Sequence, residues 1–391
     1  MNKLYFPFIS AFLIFIVSCD LERIEPGTGN ESKFNTTFGG NSNDFPYDVY
    51  PNTDGTFIVV GRTESFTADQ NNQAYIVRVD KNGVVIDQNN FGYAADDWAY
   101  NVTPVSDGGY VMSGVTSDPV TFSYNIFLVK VNSALDEVWK YSYGSLDSNE
   151  ITFGIIPTGT SDFLVGYTSN HVNGSDIALK FLRINANGSK VSVKLGATGS
   201  FSITEMIKTT DGKIAVSGYE YTSGTIAYTA KFNMDGSFIW DQTFPGTNPN
   251  YTLGYGVVEL TDKSLFVAGS NLGSSDHDFL LLRYTEIGMP LDTVQWGGAN
   301  ADELMSITNT QDGEIVVLGY SQSFSSNNEI YLSKRKKSDG SEIWAKHFEE
   351  TWTNSGIVRL CPDGGFVVCT GQNQTNADII IVKTDANGIY E

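Results

Sequence analysis

Past residue 33 the chain alternates short apolar runs with clusters of Gly, Asn, Asp, Ser and Thr, and no stretch there sustains an apolar stripe of helical period. Runs such as "TFIVVGRT", "GYVMSGVTS" and "GFVVCTGQ" are brief, rich in β-branched and aromatic residues, and bounded by turn residues, so each predicts a strand. The only long apolar run is the first one, from Leu4 to Val17.

The runs repeat. An aromatic or large apolar residue, often followed by glycine, recurs at Phe38, Phe91, Tyr143, Leu195, Phe244, Trp296 and Phe348, at separations of 49 to 53 residues. Each interval holds the same order of signals. A strand leads to a turn opened by Asp54, Asp107, Asp211, Asp262, Asp312 or Asp363, with "GTSD" in the third unit. The next strand ends at Gly61, Gly114, Gly166, Gly218, Gly269, Gly319 or Gly371, each a place where a side chain would obstruct a bend or a close neighbour. A third strand ends in a basic residue: Arg78, Lys130, Arg183, Lys231, Arg283, Lys334 or Lys383. A second turn such as Asn82-Gly83 or Asn387-Gly388 follows, then a fourth strand that often carries Trp (Trp139, Trp240, Trp344) four residues before the marker.

Seven units of four short antiparallel strands predict an all-β fold, a seven-bladed β-propeller, over residues 33–391. A linear solenoid would need capping units at its ends. Here the two ends complement each other. "SKFNTTFGG" is a fourth strand with no preceding turn, and "KTDANGIYE" is a turn with no fourth strand. Phe34 stands four residues before Phe38, the spacing of Trp139 to Tyr143. The N-terminal strand is therefore expected to complete the last blade, with Phe34 near the strand that contains Ile381, closing the ring.

Composition agrees with a β-rich, turn-rich chain: 39 Gly, 20 Tyr and 24 Phe in 391 residues. The 24 basic and 45 acidic residues give a net charge of −21, which repels phosphate backbones and sets nucleic acid aside as a partner. The opening "MNKLYFPFISAFLIFIVSCD" has one early Lys3 and an apolar run of about 14 residues, too short to span a bilayer and suited to a signal peptide. The residues before Cys19 resemble a lipobox. Residues 1–18 are thus expected to be a lipoprotein signal peptide, Cys19 the lipidated membrane anchor, and residues 19–32 a flexible tether. Cys361 and Cys369 sit on the arms of one hairpin at different heights, and free thiols are expected there.

Candidate chemistry is sparse. The basic residue of each unit recurs once per blade, often with Asp or Asn two positions on (Asp80, Asn132, Asn185, Asn233, Asp385), and reads as a repeated structural hydrogen bond or ion pair. A second set, Asp44, Asp97, Glu150 and Asp302, begins the inner strands, where other units have Phe201, Thr252 and Thr353. Two readings stay open: a ring at one channel mouth that binds a cation or a polyhydroxyl ligand, or caps on each blade's own backbone amides. No metal is assigned, and a structural Ca2+ is the one cofactor these carboxylates would suit. Trp98, Tyr100, Trp352, Tyr47, Tyr251 and Tyr255 lie on the same connections, as inter-blade packing or as a face for sugars. "SSDHDF" offers Asp276, His277 and Asp278 in a line, too few convergent ligands for a metal site. No nucleophile elbow, P-loop, HExxH pair or dinucleotide glycine pattern is present.

The runs "SDGGYVMSGVTS", "FLVKVNSALDEVWKYSYG" and "CPDGGFVVCTGQ" resemble the blade repeats of bacterial secreted and lipid-anchored β-propeller proteins of the kind found in Bacteroidota, over residues 31–391. The resemblance implies a cell-envelope lipoprotein, outside the cytoplasm and held to a membrane, the outer membrane by preference. With no catalytic motif in view, the expected role is a non-catalytic binding or scaffold module, a monomeric propeller with a protein or glycan partner. The alternatives are a polysaccharide lyase or hydrolase working at a channel mouth, and a subunit of an outer-membrane assembly or secretion machine.

Overall fold

The computed structural model describes residues 33–390 apart from 68–70, 94, 146, 160–161, 172–176, 247–250, 273–275, 325–328, 349–351 and 373–375, and without the side chains of 171 and 352–355. Cys19, the signal segment and the tether lie outside the described residues.

Twenty-eight strands form seven four-stranded antiparallel sheets. Six run in simple chain order, which gives blade 1 (44–91), blade 2 (97–143), blade 3 (148–199), blade 4 (201–244), blade 5 (252–296) and blade 6 (302–348). The seventh consists of Trp352–Leu360, Phe366–Gln372 and Ile379–Thr384, completed by Phe34–Phe38. In that last pair Thr36 lies opposite Ile381 and Phe34 opposite Lys383. Each blade's first strand packs on the first strand of the next, and Trp352–Leu360 packs on Asp44–Pro51. The ring closes as the chain ends predict.

The middle strands read as unbroken apolar runs because both faces of each sheet are covered. Along Phe57–Thr63, Ile58 and Val60 enter the core shared with blade 2, whereas Phe57 and Val59 enter the core shared with blade 7. Each such side chain contributes roughly 1.5 to 3 kcal/mol on burial, so the blade interfaces carry the stability. Cys361 and Cys369 belong to the interface of blades 7 and 1 as buried, unpaired residues, and burial pushes the Cys361 thiol up to about 12.

The recurrent basic residue makes an ion pair, but in blades 2 to 7 its partner is the Asp of the first turn, and in blade 1 Arg78 instead faces Asp87 at 3.8 Å. Lys130 reaches Asp107 at 2.6 Å, Arg183 reaches Asp162 at 3.0 Å, Lys334 reaches Asp312 at 2.7 Å and Lys383 reaches Asp363 at 2.8 Å. The Asp or Asn two positions on closes the second turn instead. Asp80 Oδ1 accepts the Asn82 and Val84 amides at 2.7 and 2.9 Å, and Asp385 Oδ1 accepts those of Asn387 and Ile389 at 2.8 and 2.9 Å. Outer-strand aromatics lock each blade to the next: Trp139 Nε1 donates to the Ala186 carbonyl at 3.1 Å and Trp240 Nε1 to that of Glu286 at 3.2 Å.

Candidate binding site at the channel mouth

Each inner strand carries one extra residue about three positions in. The pairing register skips Tyr47, Tyr100, Phe153, Thr204, Tyr255 and Met305 in blades 1 to 6. Such a bulge bends the strand and re-aims a side chain. It also explains the recurrent glycine opposite, because a β-carbon at Gly61 would lie 1.9 Å from the Phe45 carbonyl oxygen and one at Gly114 only 1.7 Å from that of Trp98. All six bulged side chains line a cavity of about 350 Å³ in the centre of the ring. The repeat thereby supplies the channel with three tyrosines and a phenylalanine.

The residues just past the bulges give this cavity its polar element. Arg359 of blade 7 reaches Asp48 of blade 1 at 3.1 Å and, across the ring, Glu205 of blade 4 at 3.1 Å. Both carboxylates also staple neighbouring inner strands: Asp48 accepts the Val102 amide at 3.1 Å and Glu205 that of Val257 at 2.8 Å. Burial raises the Asp48 and Glu205 carboxyls, and the Arg359 charge opposes the rise. Sequence reasoning missed all three. Asp48 and Glu205 occupy equivalent positions of the repeat, which is the signal that was available.

Of the two readings of the four acidic residues, the structure shows the cap on each blade's own corner. Asp44, Asp97 and Asp302 have no exposed surface and Glu150 keeps 6%. Asp44 accepts from the Gly40 amide and Ser65 Oγ at 2.8 and 2.7 Å, and Asp302 repeats the pattern with Gly298 and Ser323, both at 2.8 Å. Asp97 accepts the Tyr93 amide at 2.8 Å, and Glu150 accepts Ser169 Oγ at 3.1 Å. Each holds the corner where its inner strand begins, and a carboxylate with no exposed surface presents nothing to solvent. Glu150 borders a separate cavity of about 550 Å³ between blades 2 and 3. Among the described residues no group of three His, Cys, Asp or Glu side chains converges as a metal site.

The aromatic set does converge, in two groups. On blades 1 and 2, Tyr47 and Tyr100 meet edge to face at 5.1 Å, Trp98 lies 6.2 Å from Tyr100 and 5.5 Å from Tyr124, and the Arg62 guanidinium sits over Phe45 and Trp98 at 4.5 and 5.4 Å. On blades 4 to 6, Tyr255 faces Tyr219 at 6.5 Å, Tyr251 stands against His277 at 5.5 Å, and His277 Nδ1 lies 3.2 Å from Glu303. Burial raises the hydroxyls of Tyr100, Tyr255 and Tyr320, and the Glu303 charge raises the last two further. These tyrosines stay neutral at physiological pH. Tyr47, Tyr100 and Tyr255 border the central cavity, so both groups open on the same channel. Trp352 belongs to the side chains left undescribed.

No protein-family model matches the chain, and no curated protein matches it. Among solved structures it is similar to the polysaccharide lyase Uly1, with a TM-score of 0.54 and 9% identity over 89% of this chain and 91% of that one. It also aligns with the Dos1 propeller at a TM-score of 0.49 and 10% identity, over 91% of this chain and 88% of that one. At such identities the likeness concerns the fold: this chain is a seven-bladed β-propeller.

Proposed function

We propose that the chain is a non-catalytic carbohydrate-binding module of the bacterial cell envelope, held to a membrane through Cys19 and taking its ligand at the channel mouth. The observation that carries this reading is the aromatic shelf of Tyr47, Trp98, Tyr100 and Tyr124 beside a central cavity. Flat aromatic faces pack on the apolar faces of pyranose rings, while tyrosine hydroxyls and channel polar groups take the sugar hydroxyls. The test is a glycan array on the full chain in detergent, followed by calorimetry on the hits. Trp98→Ala is expected to weaken binding at least tenfold without lowering Tm by more than a few degrees. Retention of full affinity by that variant removes the shelf from the site.

A second reading, a polysaccharide lyase or hydrolase, is favoured by one arrangement: His277 beside Glu303, with neutral Tyr255 and Tyr320 near that carboxylate. An imidazole and a tyrosine hydroxyl are the acid and base groups that sugar elimination uses. Chromatography of a bound oligosaccharide after prolonged incubation separates the two readings, since release of shorter products that His277→Ala abolishes makes the module an enzyme. The scaffold alternative, a subunit of an envelope machine, predicts a protein that co-purifies from solubilised membranes whether or not sugar is present.

A further inference from the structure

We infer that the ligand of this mouth is anionic, an acidic glycan bearing uronate carboxylates or sulfate esters, and that Arg62 reads its charge. This rests on the carbohydrate reading above. Arg62 lies opposite Phe45 in the sheet of blade 1, half-buried between that ring and Trp98 of blade 2. The other five described arginines each reach a carboxylate: Arg78, Arg183, Arg283, Arg335 and Arg359. Arg62 reaches none among the described residues, its Nε is buried without an acceptor, and Trp98 Nε1 beside it is buried without one as well. Stranded donors are costly to bury, and an anion held on the part of the half-buried guanidinium that solvent still reaches offsets that cost.

The surroundings sharpen the inference. Among the described residues no acidic side chain pairs with this guanidinium, which meets the Phe45 and Trp98 rings instead. The groups that feel its charge are the hydroxyls of Tyr47 and Tyr100, both bordering the central cavity. A planar guanidinium offers parallel N–H donors that match a carboxylate or sulfate, and the rings on either side hold it in place. Glu303 of blade 6 raises Tyr255 and Tyr320 and would repel an anion there. The acid group of the ligand therefore lies over blades 1 and 2. The net charge of −21 opposes this only at long range, because the screening length is about 8 Å at physiological salt.

The experiment compares four probes by calorimetry on the full chain: a neutral oligosaccharide, the matched oligouronate, its methyl ester, and a sulfated oligosaccharide. The oligouronate or the sulfated probe is expected to bind at least tenfold more tightly than the neutral one, and esterification to abolish the uronate's advantage. Arg62→Gln is expected to erase the preference, bringing its affinities for acid, ester and neutral probe within twofold of one another, whereas Trp98→Ala weakens binding of all the probes and keeps the preference. Equal affinity for acid and ester, with no preference for sulfate, overturns the charge assignment and leaves the carbohydrate reading standing. Retention of the preference by Arg62→Gln moves the anion site elsewhere and overturns the role of Arg62. Failure of every glycan to bind overturns both proposals.

Discussion

Two pairs of aspartates occupy equivalent corners of the ring, and their charges conflict. Beside Gly39, a β-carbon would lie 2.0 Å from Asp378 Oδ1 and 2.9 Å from Asp44 Oδ2, and beside Gly297 the same construction meets Asp278 at 2.4 Å and Asp302 at 2.7 Å. Blades 1 and 2 place Gln73 and Asn125 at the equivalent positions, next to Asp97 and Glu150. An amide can donate to a carboxylate, and a second carboxylate can do so only by keeping a proton. Burial first, and the neighbouring carboxylates second, raise Asp378 and Asp278 above the ordinary 3.8, while burial raises Asp97 to about 6. A group whose folded pKa is raised binds its proton more tightly in the native state. Its contribution is most favourable below the unfolded value and is lost as pH climbs through the folded one. The net outcome for the wild-type chain depends also on Asp211, which its Thr209, Lys213 and Lys231 partners hold low despite desolvation and which loses its stabilisation only in stronger acid. Asp378→Asn and Asp278→Asn remove the conflict while keeping the shape. Each is expected to raise stability at pH 7, with the gain shrinking as the pH falls toward 4. Urea melts of wild type and variants at pH 4, 5.5 and 7 check this, and a gain that does not vary with pH refutes the shared proton.

At the scale of the strand and turn, the repeat departs from itself at Lys263. The first turn of blade 5 puts this lysine at φ +63°, where Gly55, Gly108, Gly212, Gly313 and Gly364 stand in five other blades with φ between +75° and +87°. A side chain in the left-handed region costs about 1 kcal/mol, and the ion pair of Lys263 with Glu286, 3.3 Å long and half exposed, returns little. Lys263→Gly is thus expected to stabilise the protein by roughly 0.5 to 1 kcal/mol, read as an upward shift of Tm. No shift, or a lower Tm, would mean that the lysine's contacts outweigh its backbone cost. Turns, glycines and alternation were legible in the sequence because each is a local requirement: the bulge at Tyr47 forces Gly61, and the second turn forces Asp80. The site was legible only as a region. Tyr47, Trp98 and Tyr100 mark it, but the value of Arg62 lies in its having no carboxylate partner among the described residues, and that of Arg359 in a carboxylate 154 positions away. Neither relation has a spacing. The acidic set left two readings open for a related reason: recurrence at one height is what a structural cap and a ligand ring share, and burial separates them.

For the molecule as a whole, stability depends on the seam where the first strand joins the last blade. The Ile379–Thr384 strand has no free edge only while Phe34–Phe38 covers it. Phe34 does the locking that tryptophan does elsewhere. A β-carbon at Gly83 would lie 2.7 Å from the Phe34 ring, as one at Gly288 would lie 2.6 Å from Trp240, and Phe34 also meets Phe57 edge to face at 5.7 Å. It therefore joins blade 7 to blade 1 through the same contact that outer strands make to the next blade's turn. Phe34→Ala in this buried setting is expected to cost about 3 kcal/mol. Removing residues up to 38 should do worse than the sum of its contacts, because it exposes the backbone of Ile379, Ile380 and Ile381 as an apolar sheet edge and frees blade 7 to separate from blade 1. Two measurements distinguish a seam from an ornament: the midpoint of urea unfolding for Phe34→Ala, and the oligomeric state of the truncated chain by light scattering. A monomeric truncated chain with unchanged melting would show that six blade interfaces suffice and that the first strand adds nothing to the ring. Loss of the monomer, with the Phe34→Ala midpoint falling and its transition still single, is what a closed ring held at one seam requires.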